Sequence, residues 1–432
     1  MFPGSRLLLA FMACVAFNAT AYCGRIEQRS FNSRNYQGSQ DRDYKIFVPS
    51  GYTGQAPVPM VMVLHGCRQT EQDMINDTRF KELAERDNFI VVYPFVTHYP
   101  PFPMRDVNCW GFFIDEQIHK GAGEVEDLYQ IALDVEGAFN IDPNRRFVTG
   151  LSSGAGMAVA LGVARSEHFA AAGSVEGLPY AETSSSVGFT CFNPGIFKPV
   201  SADVSAMKTE QSTPEEQRPV AMMAIHSTND CVVNIKGSEN IRDAWIGRYG
   251  LDQTPLKTTD CTAKGVNCSQ QAYGSAGRSA VETVFYDGEH GDLIGNGSHY
   301  WVGDNNGSFA NPKGPSASEL LWAFFKDHPL APAPPSSSAR SEPSNAAPST
   351  AIQPASSGPR TKAGDVQSIT ADWQSHVDAH RIRVYGAPCP SIGFGACDAG
   401  FSEIYLANQS NAFPLMRKGI SSDWYLHKEN IP

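Results

Sequence analysis

Three residues far apart in this sequence have the types, and the chain order, that covalent attack on a carbonyl requires. Ser152 stands in Gly150-Leu151-Ser152-Ser153-Gly154, Asp230 closes Ile225-His226-Ser227-Thr228-Asn229-Asp230, and His299 lies in Gly297-Ser298-His299-Tyr300-Trp301. A serine hydroxyl is a weak nucleophile at neutral pH. It needs a histidine to take its proton, an acid to orient that histidine, and N–H donors for the oxyanion. One donor is expected from Ser153, directly after the nucleophile. The other is expected from Leu64-His65-Gly66-Cys67-Arg68-Gln69, where Gly66 permits a turn and the Cys67 N–H joins that of Ser153.

Other residues compete for these roles. His290, in Glu289-His290-Gly291-Asp292, is a second candidate base, and a loop aspartate such as Asp230 can equally serve as a turn or cap residue. His65 precedes the serine and reads as a brace for the oxyanion loop. Trp301 reads either as core or as the wall of an acyl pocket, and Glu176 as a surface charge.

Such a serine works only on a sharp strand-to-helix elbow, and the flanking sequence supplies one. Residues 146–149 (Arg-Phe-Val-Thr) predict a buried strand, and 155–164 (AGMAVALGVA) a close-packed helix. Further strands are predicted at 44–48, 59–64, 89–93, 220–226 and 280–286, and helices at 78–87, 126–140 and 238–249. Asn140-Ile141-Asp142-Pro143 is expected to stop the second of these helices. Alternation of this kind implies a mostly parallel sheet covered on both faces. With the order Ser, Asp, His it predicts an α/β-hydrolase fold.

The 432 residues allow two or three domains, and 41% hydrophobic content is that of a globular chain. A net charge of −11 argues against a nucleic-acid binder. Residues 1–21 are expected to be a signal peptide, with Arg6, an apolar run at 7–17 and the small-residue site Ala19-Thr20-Ala21. That run is too short to span a bilayer, and no later segment reads as transmembrane. Residues 22–329 are assigned to the catalytic domain and 330–363, rich in Pro, Ser and Ala, to a linker. Residues 364–432 form a small C-terminal module whose aromatics build either a small core or a binding face.

Export makes disulfides the expected state of the cysteines. The sequence-local pairings are Cys261–Cys268 and Cys389–Cys397. Cys67–Cys109 and Cys191–Cys231 then follow by elimination, with Cys23 unpaired. No Cys/His cluster suggests a metal, and no cofactor is implied.

These residues resemble extracellular polyhydroxybutyrate depolymerases and the related feruloyl- and acetylxylan-type esterases, over about residues 44–328. The resemblance lies in His65-Gly66-Cys67-x-Gln69, Cys109-Trp110-Gly111-Phe112, Gly123-Glu124, Ile141-Asp142-Pro143-x-Arg145 and the Ser152 elbow. Gly177-Leu178-Pro179-Tyr180 and Cys191-x-Asn193-Pro194-Gly195 resemble the depolymerase branch. Asp230-Cys231-Val232-Val233 and His299-x-Trp301-x-Gly303 resemble the motifs of the acid and the base, which favours His299 over His290. Cys67 and Cys109 sit where the family commonly carries a disulfide.

The resemblance implies a cofactor-free secreted esterase acting on a polyester or an acylated polysaccharide, with Glu176, Tyr180 and Trp301 as substrate-binding candidates. Ala155, Glu176 and Val302 depart from the family pattern, Glu176 standing where a small or apolar residue is usual. The non-enzymatic alternative is a surface-binding protein.

Overall fold

The computed structural model describes residues 24–97, 107–188, 193–275, 277–290 and 298–330, and the backbone of three strands at 367–371, 413–417 and 424–426. The chain separates into two compact units, one holding described residues 24–330 and the other the three C-terminal strands. The first unit contains strands β1 (Arg25–Phe31), β2 (Arg42–Val48), β3 (Val58–Leu64), β4 (Ile90–Pro94), β5 (Ile141–Leu151), β6 (Ala171–Val175), β7 (Ala221–Ser227), β8 (Lys257–Asp260), β9 (Cys268–Ser275) and β10 (Arg278–Tyr286). They form one sheet in the order β1-β2-β4-β3-β5-β6-β7-β10-β9-β8. The six strands from β4 to β10 in that order are parallel, and the outer pairs add antiparallel edges. Two further short strands, β11 (Trp301–Val302) and β12 (Ala310–Asn311), pair with each other.

The helices are α1 (Glu71–Asp77), α2 (Phe80–Asp87), α3 (Gly123–Ala138), α4 (Ser153–Ala164), α5 (Val200–Glu210), α6 (Lys236–Tyr249) and α7 (Ala317–Asp327). β3 is buried along its whole length, so its alternate side chains feed two cores. Met60, Met62 and Leu64 join Leu128, Met157 and Trp245 beneath α3, α4 and α6. Val61 and Val63 join Phe80, Leu83 and Phe325 beneath α2 and α7.

The six predicted strands are present: β2, β3 and β10 run longer by one or two residues, β4 and β7 are shifted by one, and β5 begins five residues earlier and ends two later. β1, β6, β8, β9, α5 and α7 were not anticipated. β6 reads Ala-Ala-Gly-Ser-Val, without the β-branched run that marks a strand. Its small residues answer to crowding: a Cβ on Gly173 would press on Leu321 of α7, and Ala172 lies against Gly162 of α4. The helix expected over 126–140 ends at Ala138 and pairing resumes at Ile141, ahead of Pro143; a register shift opposite Val58 and Met60 absorbs the intervening residues. The predicted 78–87 helix is α2, preceded by a separate α1 whose N-terminus Thr70 caps in a reciprocal box with Asp73.

In the second unit β13 (Gln367–Ala371), β14 (Phe413–Arg417) and β15 (Trp424–Leu426) form an antiparallel sheet. The signal peptide, nearly all of the linker, Cys23, Cys191, Cys389 and Cys397 lie outside the described residues.

Ahead of α3, half-buried His119 bonds Glu210 of α5 at 2.7 Å through Nδ1 and Asp115 at 3.1 Å through Nε2. The Glu210 hydrogen bond, opposed by burial and helped by Asp115, pushes the imidazole up to about 9 from an ordinary 6.5. A histidine raised on folding stabilises fully below its unfolded value and loses that contribution as pH rises through its folded value. Wild-type protein is therefore expected to lose stability relative to His119→Gln between about pH 6.5 and 9, measured by urea denaturation. Parallel curves for the two proteins across that window would refute the assignment.

Candidate active site

β5 delivers the elbow. Ser152 adopts φ 57° and ψ −118°, a conformation that costs an L-residue about 1–3 kcal/mol and persists only where its surroundings enforce it. Its N–H donates to Val175 O at 2.9 Å, and its carbonyl accepts the Gly156 N–H at 3.0 Å. The flanking glycines are sterically required. A Cβ on Gly150 would lie 2.5 Å from the Gly154 carbonyl carbon, and one on Gly154 would lie 2.5 Å from Leu64 O. Ser153 opens α4, so its N–H has no helical acceptor and is available to an anion.

The loop after β3 lies against this elbow, because a Cβ on Gly66 would come within 3.2 Å of Ser152 Cβ. Gln69 holds the loop by accepting the Gly66 N–H at 2.6 Å. His65 is fully buried beside Phe95 and Trp110. Its Nε2 accepts the Val96 N–H at 3.3 Å, which leaves Nδ1 to donate to Gly66 O at 2.8 Å. Burial lowers this imidazole to about 4, so it is neutral near pH 7 and acts as a brace.

The Cys67–Cys109 disulfide ties the same loop to the Trp110 segment, where buried Glu124 accepts the Gly111 N–H at 2.6 Å. Cys261–Cys268 is also formed, and Cys231 is disulfide-bonded.

His299 and Asp230 meet at 2.7 Å, Nδ1 to Oδ2. The other carboxylate oxygen accepts the N–H groups of Val232 at 2.7 Å and Val233 at 3.0 Å. An imidazole that donates through Nδ1 presents Nε2 as a proton acceptor, the tautomer that activation of a hydroxyl requires. No hydrogen bond joins Ser152 to His299 among the described residues; such contacts often tighten only when substrate is bound. His290 and His299 share a cavity of about 270 Å³ with Glu289, Tyr300 and Phe309, but it is His299 that bonds Asp230.

The three substrate-binding candidates lie elsewhere than expected. Trp301 is fully buried, donates its indole N–H to Asp304 at 2.6 Å and packs edge-on to Phe80; it is core, not pocket wall. Tyr180 is 2% exposed, with its hydroxyl 3.3 Å from His119. Glu176 is neither a surface charge nor open to a ligand, being 0% exposed. Its Oε1 accepts the Tyr286 hydroxyl at 2.5 Å and the Ser227 N–H at 3.1 Å.

His226, which no sequence motif singles out, stands 3.3 Å from both Glu176 and Asp230. Its only sequence signal is its place near the end of β7, four residues before Asp230. Phe112, Leu178 and Val233 form a small apolar cluster flanking the Asp230 loop, with Phe113, Val187, Phe197 and Val232 half-buried around it.

A parallel sheet with a serine elbow after β5, and an aspartate and a histidine after later strands, defines an α/β-hydrolase. Residues 42–245 match the sequence-family model described as Esterase PHB depolymerase. The chain is 30% identical over 209 residues to poly(3-hydroxyalkanoate) depolymerase C of Paucimonas lemoignei, which covers 48% of this chain and 49% of that protein. It thus spans about half the depolymerase's length. Identity to the acetylxylan esterase of Coprinopsis cinerea is 27% over 255 residues, 55% of this chain and 63% of that one. Among solved structures, the acetyl xylan esterase from Aspergillus awamori superposes with a TM-score of 0.48 at 18% identity, covering 70% of this chain and 100% of that one. No helix among the described residues is long and apolar enough to cross a membrane.

The elbow geometry makes a sharp prediction. Gly154→Ala must displace the Leu64 and His65 carbonyls and is expected to cost esterase activity about 100-fold or more, or to prevent folding. Gly137→Ala, facing open space in α3, is expected to retain activity and gain about 1 kcal/mol of stability. Wild-type activity in Gly154→Ala, measured on a chromogenic ester, would contradict the account.

Proposed function

We propose that this chain is a secreted serine esterase that hydrolyses the ester bonds of a short-chain polyhydroxyalkanoate. The observation that carries the reading is the 2.7 Å His299–Asp230 pair at the same end of the sheet as the strained Ser152 elbow. Ser152 Oγ attacks the ester carbonyl carbon while its proton passes to His299 Nε2. Asp230 holds the Nδ1–H and stabilises the imidazolium that forms. The Cys67 and Ser153 N–H groups receive the oxyanion, each contributing about 3 kcal/mol to lowering the barrier. Collapse expels the alcohol, which takes the proton from His299. Water then attacks the acyl-enzyme by the same route and releases the acid.

The match of residues 42–245 to a family model described as Esterase PHB depolymerase, and the half-buried apolar residues beside the Asp230 loop, support a polyester substrate. Similarity to acetylxylan esterases supports an acylated polysaccharide as the second reading. The apolar segment after Arg6 and the disulfides support export.

Wild type, Ser152→Ala and Asp230→Asn should be assayed in parallel on polyhydroxybutyrate granules, methyl ferulate and acetylated xylan. Turnover is expected to be fastest on granules, to vanish in Ser152→Ala and to fall about 10⁴-fold in Asp230→Asn. Faster turnover of acetylated xylan would move the assignment to the second reading. Adsorption without Ser152-dependent turnover on any of the three would sink the enzyme reading in favour of a surface-binding protein.

A further inference from the structure

Behind His299, the C-terminal ends of β6, β7 and β10 enclose two carboxyl groups that no lysine or arginine neutralises among the described residues. The side chains of Glu176 and Asp230 are both 0% exposed. One oxygen of each, with a ring nitrogen of His299, lies within a common 4.8 Å. The titratable groups facing the pair are His226 from β7, Tyr286 from β10, and His299 and Tyr300 from the loop ahead of β11. Two carboxylates this close in dry surroundings do not both ionise; they hold one proton between them.

The donor count says where that proton sits. Asp230 accepts from Val232 and Val233 at Oδ1 and from His299 at Oδ2, three donors that suit an anion and leave Oδ2 able to accept one more. Glu176 Oε1 accepts from Tyr286 and Ser227, but Oε2 accepts from nothing. His226 Nε2, 3.3 Å from Oε2, directs its bond to Val233 O at 2.8 Å. A buried oxygen without a donor beside a carboxylate is where a hydroxyl belongs.

We propose that Glu176 is a positioning residue for the catalytic base: its carboxyl shares a single proton with Asp230 and, by donating to it, holds the carboxylate that orients His299. The role rests on the serine-esterase reading. Burial and the adjacent Asp230 charge raise Glu176 well above the usual carboxylate range. Burial alone would raise Asp230 too, but His299, Glu176 and His226 hold it well below that range. The proton therefore stays on Glu176, the Asp230 anion remains available to the Nδ1–H, and a second buried charge is avoided.

Glu176→Gln and Glu176→Leu test this. The glutamine amide can accept from Tyr286 and Ser227 through its oxygen and donate to Asp230 through its nitrogen; leucine can do neither. Glu176→Gln is expected to keep kcat within about threefold of wild type, with the acid limb of the kcat/KM profile in place. Glu176→Leu is expected to lose kcat about tenfold or more, with KM changed less than about twofold. A glutamine variant as impaired as the leucine one, or an acid limb moved by about one pH unit, overturns the proposal, because either marks Glu176 as a needed anion. The wild-type-minus-Glu176→Gln infrared difference spectrum at neutral pH should contain a protonated-carboxyl C=O band, a readout independent of turnover. Active wild type lacking that band overturns the shared proton alone. Wild type without Ser152-dependent hydrolysis overturns the esterase reading, and the positioning role with it.

Discussion

Gly150 and Gly154 pack against each other and against the end of β3 at distances that leave no room for a methyl group. Much of the site follows from that contact. It brings the first turn of α4 down onto the sheet and forces Ser152 into a left-handed backbone between strand and helix. It also leaves the Ser153 N–H at a helix start beside the Gly66 loop. The loop is then secured from three sides, by the Gln69 side chain, by the neutral His65 and by the Cys67–Cys109 bridge. A looser crossing would accept ordinary residues at 150 and 154, but the serine would turn with the helix and the placement proposed for the two oxyanion donors would be lost.

Strain gathers around the same end of the sheet. Ser152 after β5, Glu176 after β6 and Ser298 ahead of His299 all have positive φ without being glycine. Each lies at or beside a chain reversal that aims a side chain at the site, and the hydrogen bonds around each hold it there: Ser152 to Val175, Glu176 to Ile225, and the Ser298 hydroxyl to Glu289. On the acid side, His226 bonds Ser238 and Val233, so the ring that lies 3.3 Å from both carboxyls is itself fixed. The chemistry proposed here relies on parts oriented before any substrate arrives, which is the condition for electrostatic catalysis.

Most of the central strands and the elbow were legible because they rest on local rules. Alternating apolar runs mark β3, β5 and β7, and a serine between close glycines marks a tight turn whatever surrounds it. β6 escaped notice because its residues are small, chosen by the helices pressed on both of its faces. From sequence Trp301 fits core and pocket equally, because an aromatic beside a candidate base suits either. Only Asp304, reaching the indole N–H from three residues on, resolves the question.

By itself the sequence determined an α/β chain with its serine, aspartate and histidine in a workable order, and the glycines that make the elbow possible. These depend on periodicity and on steric limits that act within a few residues. The tertiary structure decided that His299, which its motif already favoured, meets Asp230, that Tyr180 and Trp301 turn inward, and that Glu176 is a buried partner of the acid and not a surface charge. The ends of β6, β7 and β10 are separated by tens of residues, yet together they exclude water from Glu176 and Asp230. Burial and protonation belong to that convergence, and no single segment of the chain contains it.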